Sequence, residues 1–219
     1  MFKVVIIDVD DTLCLTEEAT FRSENEVAAS MGFAPMTRAT HQKNWGMPLK
    51  DAIVDRIPGI DVDLFMEKAE QAIEEYVSKG YLDLISKENL KVLDILKDSG
   101  KKLAIVTSRS FAEAKHLLHE SHPLNKTIEA FYHRDNLEYL KPDPRVFNKL
   151  LAKFNVLPKE CVYVGDSISD AVAAKGAGMH FVAVLESGLR TKDDFADQNV
   201  DFFADKFTDI VNYILPIRS

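Results

Sequence analysis

The sequence predicts an α/β fold, a doubly wound parallel sheet whose first strand is followed by an inserted all-helical domain. Three observations predict it. Short continuous apolar runs recur at residues 4–7, 103–106, 162–164 and 181–185, the form taken by strands covered on both faces. Amphipathic segments with a helical period lie between the later runs, and such alternation implies parallel strands flanked by helices. From residue 16 to residue 82 the alternation stops, and only helical patterns remain.

Taken in order, Val4-Val5-Ile6-Ile7 forms a buried strand that ends on Asp8. Residues 17–31 are amphipathic, Pro48 can open a second helix that runs to 57, and Leu64, Phe65, Ala69, Ala72, Ile73 and Tyr76 stripe a third that stops near Gly80. We therefore divide the chain into a discontinuous core, residues 1–15 and 83–219, and a helical cap domain, residues 16–82, hinged at 13–15 and 80–82. In the core, Leu90, Leu93 and Leu96 mark a helix over 88–97, and a further helix is expected over 111–120. Asp143 suits an N-cap and Pro144 the first position of a helix over 145–154, whose buried stripe is Phe147, Leu150, Leu151 and Phe154. Residues 131–133 and 201–204 are weaker strands, the latter near an edge.

Length and composition set the outer bounds. The 219 residues fit one large α/β unit plus a smaller one, and 46% hydrophobic residues suffice for a packed core. With 27 Lys and Arg against 35 Asp and Glu, the net charge of -8 disfavours non-specific binding to nucleic acid or an anionic membrane, which depends on cations. No stretch approaches the roughly 18 apolar residues of a spanning helix. The N-terminus has no secretory pattern, and Cys14 and Cys161 are too few for a disulfide framework, so a cytoplasmic protein is expected.

In a doubly wound sheet, ligands bind beyond the carboxyl ends of the strands. Four polar segments fall there: Asp8-Val9-Asp10-Asp11-Thr12, Thr107-Ser108-Arg109, Lys141-Pro142-Asp143-Pro144 and Gly165-Asp166-Ser167-Ile168-Ser169-Asp170. If they converge, Asp8, Asp10, Asp166 and Asp170 repel one another by roughly 4 kcal/mol for each pair about 4 Å apart, so the cluster calls for a cation. The donors are hard oxygens, which suits Mg²⁺. A carboxylate beside a metal, Lys141 and the Thr107 hydroxyl can attack phosphorus, and Asp8, fixed at a strand end, is the natural nucleophile. Asp10 can protonate the leaving oxygen and later take a proton from water, while Lys141, Thr107 and Ser108 bind the phosphate.

The ordered set Asp8-x-Asp10-x-Thr12, Thr107, Lys141 and Gly165-Asp166-x-x-x-Asp170 resembles the four motifs of the haloacid dehalogenase superfamily. A helical insertion after the first motif is similar to the subfamily that includes phosphoglycolate phosphatase and β-phosphoglucomutase relatives. The resemblance implies a Rossmann-like core and a nucleophile at Asp8 with Asp10 as general acid/base. It also implies Mg²⁺ on Asp8, the Asp10 carbonyl and Asp166, with Asp170 in support. Asp11 stands where the family often has Gly, and its role is open. A Mg²⁺-dependent phosphatase of a small phosphorylated metabolite is the expected activity. A sugar phosphomutase is the nearest alternative, and a phospho-acceptor signalling module a remoter one.

Each signal has a plainer reading beside it. Acids after a strand can be a surface turn, Lys141 a solvated lysine, and Asp170 a helix-dipole partner. Arg109 reads equally as a phosphate contact or a solvated side chain. His116, His119 and His122 match no zinc spacing. In the insertion, Trp45 reads as core or as substrate contact, and Arg22, Arg38, His41, Lys43 and Lys50 are candidate specificity residues. Neither the substrate nor the oligomeric state is legible.

Overall fold

The computed structural model describes residues 2–215. The chain forms two compact units, Met1–Cys14 with Ile85–Ser219, and Leu15–Leu84.

The Leu15–Leu84 unit is all helical: α1 (Glu17–Ser30), α2 (Arg38–Gln42), α3 (Leu49–Arg56) and α4 (Val62–Ser78). Its small core gathers Val27, Ala28, Met36, Ile53, Ile57, Ile60, Phe65 and Ala69. Thr37 and Asp61 start α2 and α4 by accepting the backbone N–H groups of Thr40 and Leu64, donors that the first helical turn cannot satisfy. The α2 helix, five residues long, is too short to carry a periodic signal in sequence.

The other unit is built on six parallel strands, β1 (Val4–Ile7), β2 (Lys102–Val106), β3 (Ile128–Tyr132), β4 (Cys161–Gly165), β5 (His180–Val184) and β6 (Phe202–Ala204), in the order β3-β2-β1-β4-β5-β6. Helices α5 (Lys87–Asp98), α6 (Phe111–Ala114), α7 (Asn148–Phe154), α8 (Ile168–Gly176) and α9 (Ile210–Ile214) connect and cover them. The continuous apolar runs are explained by burial of both faces. Val5, Ile7, Ile105, Val162, Val164 and Val182 pack with Leu93 and Leu96 of α5, whereas Val4, Ile6, Val106, Tyr163 and Phe181 pack with Phe147, Leu150 and Ala174.

Three sequence expectations shift. The helix expected over 111–120 is α-helical only to Ala114 and then tightens to a 3-10 turn, Lys115–Leu118, after which His119 turns to Ser121 at 2.8 Å. The helix expected over 145–154 begins as a 3-10 turn, Pro144–Phe147, capped by Asp143, and becomes α-helical only at Asn148. The third strand occupies Ile128–Tyr132 rather than 131–133; as an edge strand it buries only alternate residues and lacks a continuous apolar run.

Candidate active site

From β1 the chain builds outward through β2 and β3, then returns to place β4 on the other side of β1. Such a reversal opens a crevice at the carboxyl ends of the two strands. Ile7 is in register with Val164 and Ile105, so Asp8 is level with Gly165 and Val106 and lies one residue short of Asp166 and Thr107, and the Asp8 N–H donates to the Val164 carbonyl at 2.9 Å. Asp8 and Asp166 thus enter the crevice from β1 and β4.

Asp170 arrives from the first turn of α8. Ser167 caps that helix, and the Ser167 N–H and hydroxyl donate to Asp170 Oδ2 at 3.0 and 2.7 Å. Gly165 makes room for this carboxylate: a Cβ there would lie 2.6 Å from Asp170 Oδ2. Asp8, Asp166 and Asp170 are all buried, and each offers one oxygen within 4.8 Å of the others. Lys141 Nζ lies 3.0 Å from Asp8 Oδ1, 2.7 Å from Asp170 Oδ1 and 3.0 Å from the Tyr163 hydroxyl. That hydroxyl donates to the Val106 carbonyl at 3.0 Å, which ties the middle of β4 to the end of β2.

The electrostatics of this trio are unbalanced. Burial, reinforced by the Asp170 and Asp10 charges and opposed by Lys141, pushes Asp8 up to about 7. Burial, then Asp170, Asp8 and Asp11, hold Asp166 well above the usual carboxylate range. Burial disfavours the Lys141 ammonium, yet Asp170 and Asp8 outweigh it and keep its pKa well above that of a free lysine. One lysine therefore faces three buried carboxylates. Hard oxygen donors with unmet negative charge fit Mg²⁺, which takes one or two carboxylates and completes its shell with water and phosphate. Asp170 already gives Oδ2 to Ser167 and Oδ1 to Lys141, so Asp8 and Asp166 are better placed to ligate.

The remaining expected residues lie around this centre. Thr12 donates its hydroxyl to Asp166 Oδ1 at 3.3 Å. Thr107 is buried at the end of β2, where its Oγ1 accepts the Arg109 N–H at 3.3 Å, and Ser108 beside it is half-buried. The Asp10 carboxylate stands outside the trio and is held by Arg109, with Nη2–Oδ1 at 2.6 Å and Nε–Oδ2 at 3.0 Å. Asp11 takes φ +50°, a left-handed backbone that glycine adopts most easily and that aspartate tolerates, and its side chain is buried. Among the described residues, His116, His119 and His122 form no metal-binding group. No local pattern marks Asp10 as a partner of Arg109, ninety-nine positions away. Nor did it show the bridging role of Tyr163, whose only signal was a hydroxyl inside a buried strand.

Most of the specificity candidates of the helical unit are engaged within it. Arg22 donates to Glu18 at 2.9 Å, Lys50 to Asp63 at 3.0 Å, and Arg38 to both Glu17 and Glu18. His41 is fully buried, with Nδ1 2.9 Å from Glu17 and Nε2 3.5 Å from Glu24, and its ring lies 5.0 Å from that of Trp45. Arg56 donates to both oxygens of Glu24 at 2.8 and 2.7 Å and to Asn44 Oδ1 at 2.8 Å. Lys43 is the C-cap residue of α2.

Comparison with known proteins agrees with this fold. The family described as haloacid dehalogenase-like hydrolase matches residues 5–184. The phosphorylated carbohydrates phosphatase of Thermotoga maritima is 30% identical over 180 residues, 81% of this chain and 82% of that protein. A phosphoglycolate phosphatase of Nitrosospira multiformis is 28% identical over 188 residues, 83% of this chain and 82% of its own length. The crystal structure of CbbY from Rhodobacter sphaeroides in complex with phosphate superposes with a TM-score of 0.78 at 22% identity, over 96% of each chain, and supports the fold. Among the described residues, no helix is long and apolar enough to cross a membrane.

Proposed function

The chain belongs to the haloacid dehalogenase-like hydrolase family, and from that premise we propose that it is a Mg²⁺-dependent phosphatase of a small phosphomonoester, acting through an aspartyl phosphate on Asp8. The supporting observation is the buried trio Asp8, Asp166 and Asp170 with Lys141 as its cation, set at the crevice where the strand order reverses.

Asp8 Oδ attacks phosphorus while the substrate oxygen leaves, and the phosphoryl group is carried on the carboxylate. Asp10, two residues on and turned outside the trio, gives a proton to the leaving oxygen and then takes one from the water that hydrolyses the acyl phosphate. Lys141, Thr107 and Ser108 hold the phosphoryl oxygens. Asp170 and Tyr163 position the Lys141 ammonium, and Thr12 orients Asp166. Asp8, Asp166 and the Asp10 carbonyl would hold Mg²⁺, which supplies charge neutralisation at the phosphoryl oxygens when bound. The helical unit, residues 16–82 by sequence, serves as the cap that excludes bulk water during turnover.

The test is release of inorganic phosphate from a panel of phosphomonoesters with Mg²⁺, by the native chain and by Asp8→Asn. The variant should lose at least about 10³-fold in turnover while keeping its fold, since the nucleophile is gone. Near-native turnover by Asp8→Asn would falsify the mechanism. Appearance of a positional isomer of a hexose phosphate, with no free phosphate, would point to the mutase instead.

A further inference from the structure

We propose that Arg145 is a positioning residue for Lys141: its guanidinium clasps Tyr139 and Asp143, two residues before and two after that lysine, and so fixes the loop from which the ammonium reaches the phosphoryl group. The inference rests on the phosphatase reading and adds to it a side chain that is 57% exposed.

Residues 137–143 form no helix or strand, so no regular ladder fixes the backbone of Lys141. The two sides of this loop are held unequally. Downstream, Pro144 opens a 3-10 turn and seats on α8, the helix that carries Asp170; a Cβ at Gly176 would lie 3.2 Å from Pro144 Cβ. Upstream, Glu138 and Leu140 are exposed and Tyr139 is half-buried, so burial does little to pin this side.

Arg145 closes the loop across that weaker side. Its Nε donates to Asp143 Oδ1 at 3.0 Å and its Nη2 to Oδ2 at 2.6 Å, the flat two-point fit of a guanidinium on a carboxylate. The same guanidinium lies over the Tyr139 ring, 3.9 Å from its centre. Asp143 Oδ1 also accepts the Arg145 N–H at 2.9 Å, and the Asp143 N–H donates to the Leu140 carbonyl at 2.9 Å. One side chain thus ties together both flanks of Lys141. Exposed contacts of this kind add little to global stability. Their effect is local, because they limit where the base of a long, flexible lysine stem can sit.

At the far end of that stem the ammonium donates to Asp170 at 2.7 Å and to Tyr163 at 3.0 Å, and lies 3.0 Å from Asp8 Oδ1. Three oxygens already surround it, so it has little to offer an arriving ester. It turns to the phosphoryl oxygens as Asp8 bonds to phosphorus and loses its negative charge. The grip of Lys141 therefore tightens in the transition state, and a displaced loop costs rate rather than affinity.

The experiment follows p-nitrophenyl phosphate hydrolysis by the full chain with saturating Mg²⁺. Arg145→Ala and Tyr139→Leu should each lower kcat by about 5- to 10-fold, with KM within about 2-fold of native, the size expected of an exposed cation–ring contact and ion pair. The double variant should fall no further than the worse single one, since both open the same clasp. Tyr139→Phe keeps the ring face and should retain native kcat. Melting temperatures should all stay within about 3 °C of native, as for other surface substitutions. Native kcat in Arg145→Ala overturns the inference, as do a loss carried by KM, losses that multiply in the double variant, or a fall in kcat that merely tracks unfolding. None of these touches the phosphatase reading. Failure of the native chain to release phosphate overturns that reading, and the inference with it.

Discussion

Each of the two units buries a cluster of charged side chains, but the clusters are balanced differently. In the helical unit the two buried glutamates each meet a cation or a ring nitrogen: Glu24 takes both oxygens to Arg56, Glu17 takes His41 and Arg38, and Arg56 also donates to Asn44. In the sheet unit Asp8, Asp166 and Asp170 share one lysine, and burial raises Asp8 to about 7. A closed network of the first kind holds helices together. An open one of the second kind is costly by itself and is retained where a ligand completes it.

The contrast can be broken most directly by removing one acid from each cluster. Glu24→Gln leaves Arg56 buried without its counter-charge and should cost about 3–5 kcal/mol, read by urea unfolding through Trp45, the sole tryptophan, which lies in the same unit. Asp8→Asn in metal-free buffer at pH 8 removes an ill-matched charge and should leave the melting temperature unchanged or higher. Equal destabilisation by the two substitutions would erase the distinction.

A second, smaller effect concerns pH. With Asp8 raised to about 7, the metal-free folded chain retains a proton that the unfolded chain gives up near pH 4, so this group's stabilising contribution is full below about pH 4 and is lost as pH rises through about 7. Mg²⁺ should therefore raise the melting temperature by several degrees more at pH 8 than at pH 5.5, and an equal gain at both values would contradict the assignment of the cluster. The smallest expected effect shows where the units are alike. Asp61 caps α4 and Ser86 caps α5 by the same side-chain contact, so Asp61→Ala and Ser86→Ala should each cost about 1 kcal/mol in thermal or urea unfolding.

Much of the sheet unit was legible because its signals are local. Val4 to Ile7 announce a doubly covered strand, and the acids at its end fall where the fold collects ligands. Lys141 and Asp170 fall beyond the strand ends in the sequence reading, but nothing near them in sequence shows that they meet at 2.7 Å. The pairing of Asp10 with Arg109 was unreadable for the same reason: each residue alone looks like a solvated charge. Asp11 had no reading until its φ of +50° showed why the family often has glycine there. Among the helices, α5 was clear because it presents Leu90, Leu93 and Leu96 on one stripe of a twelve-residue helix, whereas α2 and α9 have five residues each and no period to detect. The segment after Ala114 failed as a helix because its C-terminal turn chemistry, at His119 and Ser121, outweighs the helical preference upstream.

The hydroxyl of Tyr163 spans the width of β1, from its own strand to the last carbonyl of β2. Strand slippage on either side of β1 would therefore strain the same oxygen, and with it the seat of the Lys141 ammonium. The loops that begin at Thr107 and Asp166 are separated by a whole strand, yet they are braced by a single phenol that needs no contact with the ester to keep the mouth of the crevice in alignment.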